Sequence, residues 1–341
     1  MRRLAVVAMG IGAALAGLVV QACGAEGGPE PVIASDGGTS MDSQISIPDA
    51  GPGSPKVRIV VVNALTRDAV VSDASDKARD VRLCFGKAGQ ALPDTGTMPL
   101  TSYPGIARGR AADLGQVQGG LAVGPLQIDV LDAYAVQTST SGGACAKLLE
   151  PQGGFAHVPS ATVTVNLVPG VNLLVLRDRP SGGVAIEQAV LSGALAGPDA
   201  GTRPIMGQVG VFSSWLAPDA SAVVEVLDDA GARALVSALG AGTVGPSPAT
   251  TIAFASDDPY EISSLRFRSP GSQPTEVTQT LGSIQFVSDP TTSPATFFDR
   301  RATFAFVVVG DPKDTTALAD GGRKAGFDGA ELHIVAVPYL N

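Results

Sequence analysis

The chain has 341 residues, of which 45% are hydrophobic and only 16% charged, so it can bury substantial cores and is not wholly disordered. At roughly 100–200 residues per domain, this length predicts two domains. Glycine (42) and proline (25) together form about a fifth of the chain, against roughly 12% on average, which argues against long helices. The net charge of −9 repels polyanions, so nucleic acid is excluded as a partner.

Residues 1–22 are typical of a bacterial secretion signal. Arg2 and Arg3 form a positively charged start, and residues 4–20 are uncharged and largely apolar. An ordinary cleaved signal and an uncleaved anchor helix remain alternatives. The second is disfavoured because this apolar stretch only just reaches the roughly 17 residues that span a bilayer.

The signal ends in Val20-Gln21-Ala22-Cys23, which resembles the lipobox of bacterial lipoproteins: an aliphatic residue, a spacer, a small residue and the cysteine. The resemblance implies that Cys23 becomes the acylated N-terminus, carrying palmitate, and that a lipid anchor holds the protein in the cell envelope. Gly24 follows the cysteine where an Asp would favour the inner membrane. This favours the outer membrane, on its periplasmic or surface-exposed face.

Residues 23–55 are rich in Gly, Pro, Ser and Asp and show no hydrophobic periodicity. Such a composition predicts a disordered, flexible tether. For a chain of this length the r.m.s. reach is on the order of 30 Å, which lifts the folded part clear of the membrane.

Cys84 and Cys145 are the two cysteines that remain after Cys23. In an exported chain, an even number of cysteines predicts a disulfide. Two separate buried thiols are the alternative. A metal site is not expected, because neither residue belongs to a C-x-x-C pair.

The rest of the chain shows short β-branched runs between turn-rich segments, the pattern of an all-β protein. We interpret it as two tandem immunoglobulin-like β-sandwich domains, at 56–200 and 203–341. Pro169-Gly170 predicts a turn between two strands, and Asp228-Asp229 the tip of a hairpin. The predicted strands cover 56–63, 81–85, 126–131, 161–168, 171–177, 207–212, 223–227, 233–237, 250–254, 261–268, 283–287, 302–309 and 331–337, and a helical turn is expected at 190–196.

Residues 209–231 read VGVFSSWLAPDASAVVEVLDDAG: a valine-rich strand, a P-D-A turn, a second strand and an Asp/Gly hairpin. This order, with 260–272, resembles a family of bacterial exported β-sandwich domains of unknown function that often occur in tandem. The resemblance covers about two thirds of the mature chain and implies a fold and an envelope location. It carries no catalytic residue. In the first half, 57–65 and 80–86 fit the strands, but the P-D-A turn is absent.

Candidate chemistry is sparse. The chain contains no G-x-S-x-G, S-x-x-K, H-E-x-x-H or P-loop motif. His157 is interpreted as a turn residue and His333 as a strand residue on the face of Glu331 and Val335. Trp215 is expected to fasten a loop to the core rather than to stack on a sugar. The Asp-rich segments 311–314, 320–322 and 327–331, and Asp228-Asp229, lack calcium-loop spacing and are interpreted as Asx turns. The basic residues Arg177, Arg179, Arg203, Arg300 and Arg301 are too dispersed for an anion site.

These observations predict a non-enzymatic envelope lipoprotein without cofactor or metal. Its expected partners are the membrane, through the anchor, and an envelope protein or glycan that binds strand edges or loops. The alternative is a secreted carbohydrate-active enzyme or glycan-binding protein that uses scattered carboxylates, since a glycosidase needs two carboxylates about 5–9.5 Å apart. Two such carboxylates in a cleft lined with aromatic residues would favour the alternative.

Overall fold

The computed structural model describes residues 57–66, 80–90, 95–99, 105–114, 121–138, 144–149, 160–179, 181–192, 205–252, 263–269, 276–284, 303–312 and 331–339. The chain divides into two compact units, Met1–Asp42 and Ser43–Asn341. All of the described residues belong to the second unit. The predicted signal peptide, Cys23 and the tether lie outside the described residues and stay predictions, as does the division into two domains.

The first half of the unit is built from seven strands and two short helices. The strands are β1 (Val57–Asn63), β2 (Val81–Lys87), β3 (Arg110–Asp113), β4 (Gly124–Asp132), β5 (Ser160–Leu167), β6 (Gly170–Asp178) and β7 (Val184–Leu191). The helices are α1 (Ala133–Thr138) and α2 (Cys145–Leu149). Sheet A has the order β3-β1-β6-β7, and sheet B has the order β2-β4-β5.

The second half contains eight described strands. They are β8 (Ile205–Val211), β9 (Ser221–Asp228), β10 (Gly231–Gly240), β11 (Val244–Ile252), β12 (Ser264–Arg268), β13 (Glu276–Thr280), β14 (Thr303–Val309) and β15 (His333–Tyr339), with a 3-10 turn at Leu281–Ser283. Sheet C has the order β11-β8-β14-β15, and sheet D has the order β10-β9-β12-β13.

The two halves repeat one topology. In each, the first strand pairs in parallel with the penultimate strand, β1 with β6 and β8 with β14. The last strand then pairs antiparallel with the penultimate one. Sheet D carries β10 as an extra edge strand, which joins β9 through the two-residue hairpin loop after Asp228. The all-β class and the β-sandwich architecture predicted from the sequence are confirmed.

Each half encloses its own apolar core. Alternate side chains of sheets A and B meet around Ile59, Leu83, Ile128 and Leu174, all at most 1% exposed. Sheets C and D meet around a second core that includes Phe267, Phe304 and Phe306 and contains Trp215. Alternation along each strand sends every second residue to the opposite face of its sheet.

Those opposite faces of sheets A and C pack against each other. Val60, Val62, Leu173 and Val175 of sheet A share one buried cluster with six residues from β14 and β15 of sheet C. β3 lies against β15, and β7 against β11. The described strands therefore form four layers in the order B, A, C, D. Strands β1, β6, β14 and β15 are buried on both faces of their sheets, which explains their nearly continuous apolar runs.

The two sandwiches have the same orientation: β1 and β8, the first strand of each, begin at the same end of the structure. Gly109, next to the last residue of β1, contacts His333 at the start of β15. At the opposite end, Ser192 after β7 contacts Tyr339 at the finish of β15. We call the end where β1 begins the tether end, because residues 23–55 precede it in the chain, and the other the far end.

Most of the predicted strands are present, within a few residues of their expected ends. The turn at Pro169-Gly170 exists, but it carries the chain from sheet B to sheet A and does not form a hairpin. The helical turn expected from residue 190 is wrong for its first residues, because β7 continues through Leu191. The strand expected from residue 283 is also wrong at its start, where a 3-10 turn ends. Neither described α-helix is long enough to cross a membrane.

Candidate interaction surfaces

The outer face of sheet B is covered by a small lobe fastened by the predicted disulfide. The structure joins Cys84 on β2 to Cys145 at the start of α2. Both cysteines are at most 1% exposed and pack with Leu131, Val136 and Leu148. The bond is therefore buried within a satellite core, which fits a structural role and not that of an accessible redox group.

The outer face of sheet D carries charged cross-strand pairs and is not covered by any described element. Arg266 donates from Nε to Glu225 at 2.8 Å, and Arg268 lies 3.4 Å from the other oxygen of the same carboxylate. Thr278 and Glu276 on β13 are exposed beside them. Glu225 is only 9% exposed beneath the two arginine side chains, whereas Arg268 keeps about half of its side chain exposed, so this face presents positive charge to solvent.

The far end of the first sandwich holds a pair of carboxylates. Burial raises the pKa of Asp80, the neighbouring Asp132 charge adds to the rise, and a backbone hydrogen bond from Arg108 opposes it. Asp132 is 1% exposed and accepts the backbone N–H of Ala135 at 2.7 Å, so it caps α1. Tyr134 beside it is 61% exposed.

Asp80 and Asp132 are the two described carboxylates that best match the pair expected for a carbohydrate-active enzyme. Asp132 serves α1 as a capping residue, and Tyr134 is the one large aromatic side chain exposed among the described residues. The aromatic-lined cleft that the alternative requires is not found in the part of the chain described. Within that part, no cluster of three or more His, Cys, Asp or Glu could hold a metal ion.

A buried polar network fixes the sandwiches to each other at the tether end. Gln208 on β8 accepts through Oε1 from the backbone N–H of Ser192 at 2.8 Å and from the Tyr339 hydroxyl at 2.9 Å. Its Nε2 donates to the Pro246 carbonyl at 2.7 Å. Ser192 follows the first sandwich, whereas the other three residues belong to the second. The network therefore specifies how two apolar sheets lie against each other, which apolar packing alone does less well.

We expect Tyr339→Phe to destabilise the protein by about 1 kcal/mol, the usual contribution of one hydrogen bond, and to change its alkaline unfolding. Burial raises the pKa of Tyr339 above its ordinary value of 10.0. The unfolded chain therefore loses this proton first, and the Tyr339 contribution to stability falls as pH rises beyond about 10. Urea unfolding at pH 8 and pH 10.5 should show a smaller pH difference in the variant. An equal difference in both proteins would contradict this account.

The remaining single residues mostly lie where the sequence placed them. Trp215 is 2% exposed in the core between sheets C and D, as predicted. Asp228 accepts the N–H of Ala230 at 3.0 Å, which confirms the Asx interaction. His333 is fully buried on the face of Val335, and Ile334 lies on the opposite face. Arg177 pairs with Glu187.

Several predicted residues lie outside the described part of the chain. They are Cys23, His157, Arg203, Arg300, Arg301 and the Asp-rich segments beyond residue 312 and before residue 331. Their interpretations stay predictions.

Sequence reasoning missed the buried polar residues that matter most for the assembly. Gln208 could have been noticed in the sequence, because it is a polar residue within the otherwise apolar strand β8. Asp80 and Asp132 carried no comparable signal, because they are brought together only by the pairing of β2 with β4.

Comparison with known proteins assigns no family. No protein-family model and no curated protein matches the chain. Among solved structures, a proposed adhesin from Bacteroides ovatus has 11% identity and a TM-score of 0.21, covering 84% of this chain and 98% of that one. A proposed cell adhesion protein from Bacteroides uniformis has 9% identity and a TM-score of 0.19, covering 83% and 98%. Likenesses this weak carry no argument about fold or function.

Proposed function

We propose that this chain is a non-enzymatic lipoprotein of the cell envelope whose two sandwiches act as one rigid interaction module. The single observation that carries the proposal is the apolar core shared by sheets A and C. Two sandwiches joined by a large hydrophobic interface move as one body, whereas small polar interfaces permit relative motion.

The direction of the strands supports a particular orientation. The tether precedes β1 at the tether end, and strands β1, β6 and β8 finish at the far end. The far end and the outer face of sheet D are the surfaces that we propose bind an envelope protein or glycan. Loops held by a rigid scaffold are the usual place for such contacts. Membership of the exported β-sandwich family is part of the same proposal and is supported by the motif at 209–231.

The anchor is tested by Cys23→Ser, with Gly24→Ser as the matched control that keeps the cysteine. We expect the first variant to leave the membrane fraction and the second to stay in it. If the Cys23→Ser protein still sediments with membranes, the lipid anchor is wrong.

The orientation is tested with a photo-crosslinking residue placed in the full-length protein on intact cells. Position Tyr134 samples the far end, and position Asp229, in the exposed hairpin loop after β9, samples the tether end. We expect discrete crosslinked products from position 134, lost in the Cys23→Ser background, and few from position 229. Equal crosslinking at both positions would contradict an interaction surface at the far end.

A further inference from the structure

His333 is a buried titratable residue at the boundary between the sandwiches. It starts β15 on the face that packs against sheet A, and it is 0% exposed. Its Nδ1 lies 2.5 Å from the carbonyl oxygen of Glu331, and its Nε2 lies 3.2 Å from the carbonyl oxygen of Gly109. The first contact is within the second sandwich, whereas the second crosses to the first sandwich.

Each of the two contacts requires a proton on its own ring nitrogen of His333. A carbonyl oxygen only accepts hydrogen bonds, and a neutral imidazole carries a single N–H. Only the imidazolium form donates from both nitrogens at once. We propose that His333 is held as an imidazolium in the folded protein and acts as a pH-sensitive latch between the sandwiches at the far end.

Among the described residues, two acidic and two basic side chains lie on the segments next to these contacts. Glu331, 2% exposed, and Asp311, which bridges to it, precede His333 on the second sandwich. Arg108 and Arg110 flank Gly109 on the first, and Arg108 donates from Nε to the Leu65 carbonyl at 3.0 Å. Burial of the ring by itself favours the neutral form, so the two carbonyl oxygens that accept from the ring are the groups that favour the cation.

Loss of the proton removes one of the two bonds. The neutral ring keeps the shorter contact with Glu331 and gives up the longer one to Gly109, which is the contact that joins the sandwiches. At the tether end, the network of Tyr339 with Gln208 and Ser192 does not respond, because the tyrosine stays protonated. Raising the pH should therefore loosen the far end alone.

Long-range 1H–15N NMR on the full mature protein tests the protonation state directly. The chain has only two histidines, and a His157→Gln variant assigns the signals. We expect both nitrogens of His333 to carry a proton at pH 7, with deprotonation only at higher pH. A single neutral tautomer at pH 7 would overturn the proposal.

Amide hydrogen exchange, corrected for the intrinsic effect of pH, tests the latch. Between pH 6 and pH 9, protection of β3 and the first residues of β15 should fall roughly ten- to hundredfold, the weight of one charge-assisted bond. Protection at Ser192 should not change. In His333→Gln, which can still donate one bond, the difference between the two pH values should disappear. If His333→Gln keeps the full difference in amide protection between pH 6 and pH 9, the latch is wrong. This result does not depend on whether Cys23 is acylated.

Discussion

Leu173→Asp should abolish folding of both sandwiches. Leu173 is 0% exposed and lies in the apolar core between sheets A and C. A carboxylate there would lie among buried apolar side chains, and an unpaired buried charge belongs to the few changes that cost about 4–5 kcal/mol or more. Far- and near-UV circular dichroism of the exported variant should show loss of structure across the whole chain.

Two control variants show whether the loss of folding comes from placing a charge in the shared core. Leu173→Ala leaves a cavity at the same place and should cost about 2–5 kcal/mol while the protein stays folded. Thr278→Asp adds the same charge on the exposed outer face of sheet D and should change stability by no more than about 0.5 kcal/mol. A folded Leu173→Asp protein with normal stability would show that sheets A and C are not in contact in solution.

Removing the disulfide should produce the second large loss. The bond closes a separation of 61 residues, for which the chain-entropy model predicts about 4 kcal/mol of stabilisation. The paired change Cys84→Ala and Cys145→Ala should therefore lower the free energy of unfolding by about that amount, measured by urea titration. The lobe formed by α1 and α2 should lose protection from amide exchange first.

Reactivity of the native protein supplies the control for the disulfide. Because both cysteines are buried, mild reductant should release no thiol at residues 84 and 145 until the protein is unfolded. Two thiols that react in the folded protein before any reduction would contradict the bond itself. Unchanged stability of the double variant would not contradict the disulfide in the native protein. It would show that the lobe does not depend on that bond for its stability.

The sequence predicted the parts of this fold that depend on local pattern. Valine runs, the P-D-A turn and the hairpin after Asp228 are short-range signals, and each is present. β3, β7 and β13 were missed: β3 has only four residues, and β7 and β13 mix polar with apolar positions. Local propensity is weak in such segments, and pairing with neighbouring strands decides their conformation.

The packing of the two sandwiches against each other could not be predicted from local sequence patterns. A strand buried on both faces shows a continuous apolar run, and β1 and β14 both do, but such a run does not say what covers the second face. The same limit applies to the candidate surfaces. Trp215 and Asp228 were interpreted correctly from their neighbours in sequence, whereas Gln208, Tyr339 and the contact of His333 with Gly109 join residues more than 100 positions apart.

The most direct test of the shared core places the change in one sandwich and the probe in the other. Leu174 is 0% exposed in the core between sheets A and B, and Trp215, the single tryptophan, reports on the core between sheets C and D. In urea unfolding of Leu174→Ala, a cooperative unit predicts that the Trp215 fluorescence midpoint falls together with the circular dichroism midpoint, in one transition. An unmoved Trp215 midpoint, with circular dichroism split into two transitions, would mean that the sandwiches fold independently.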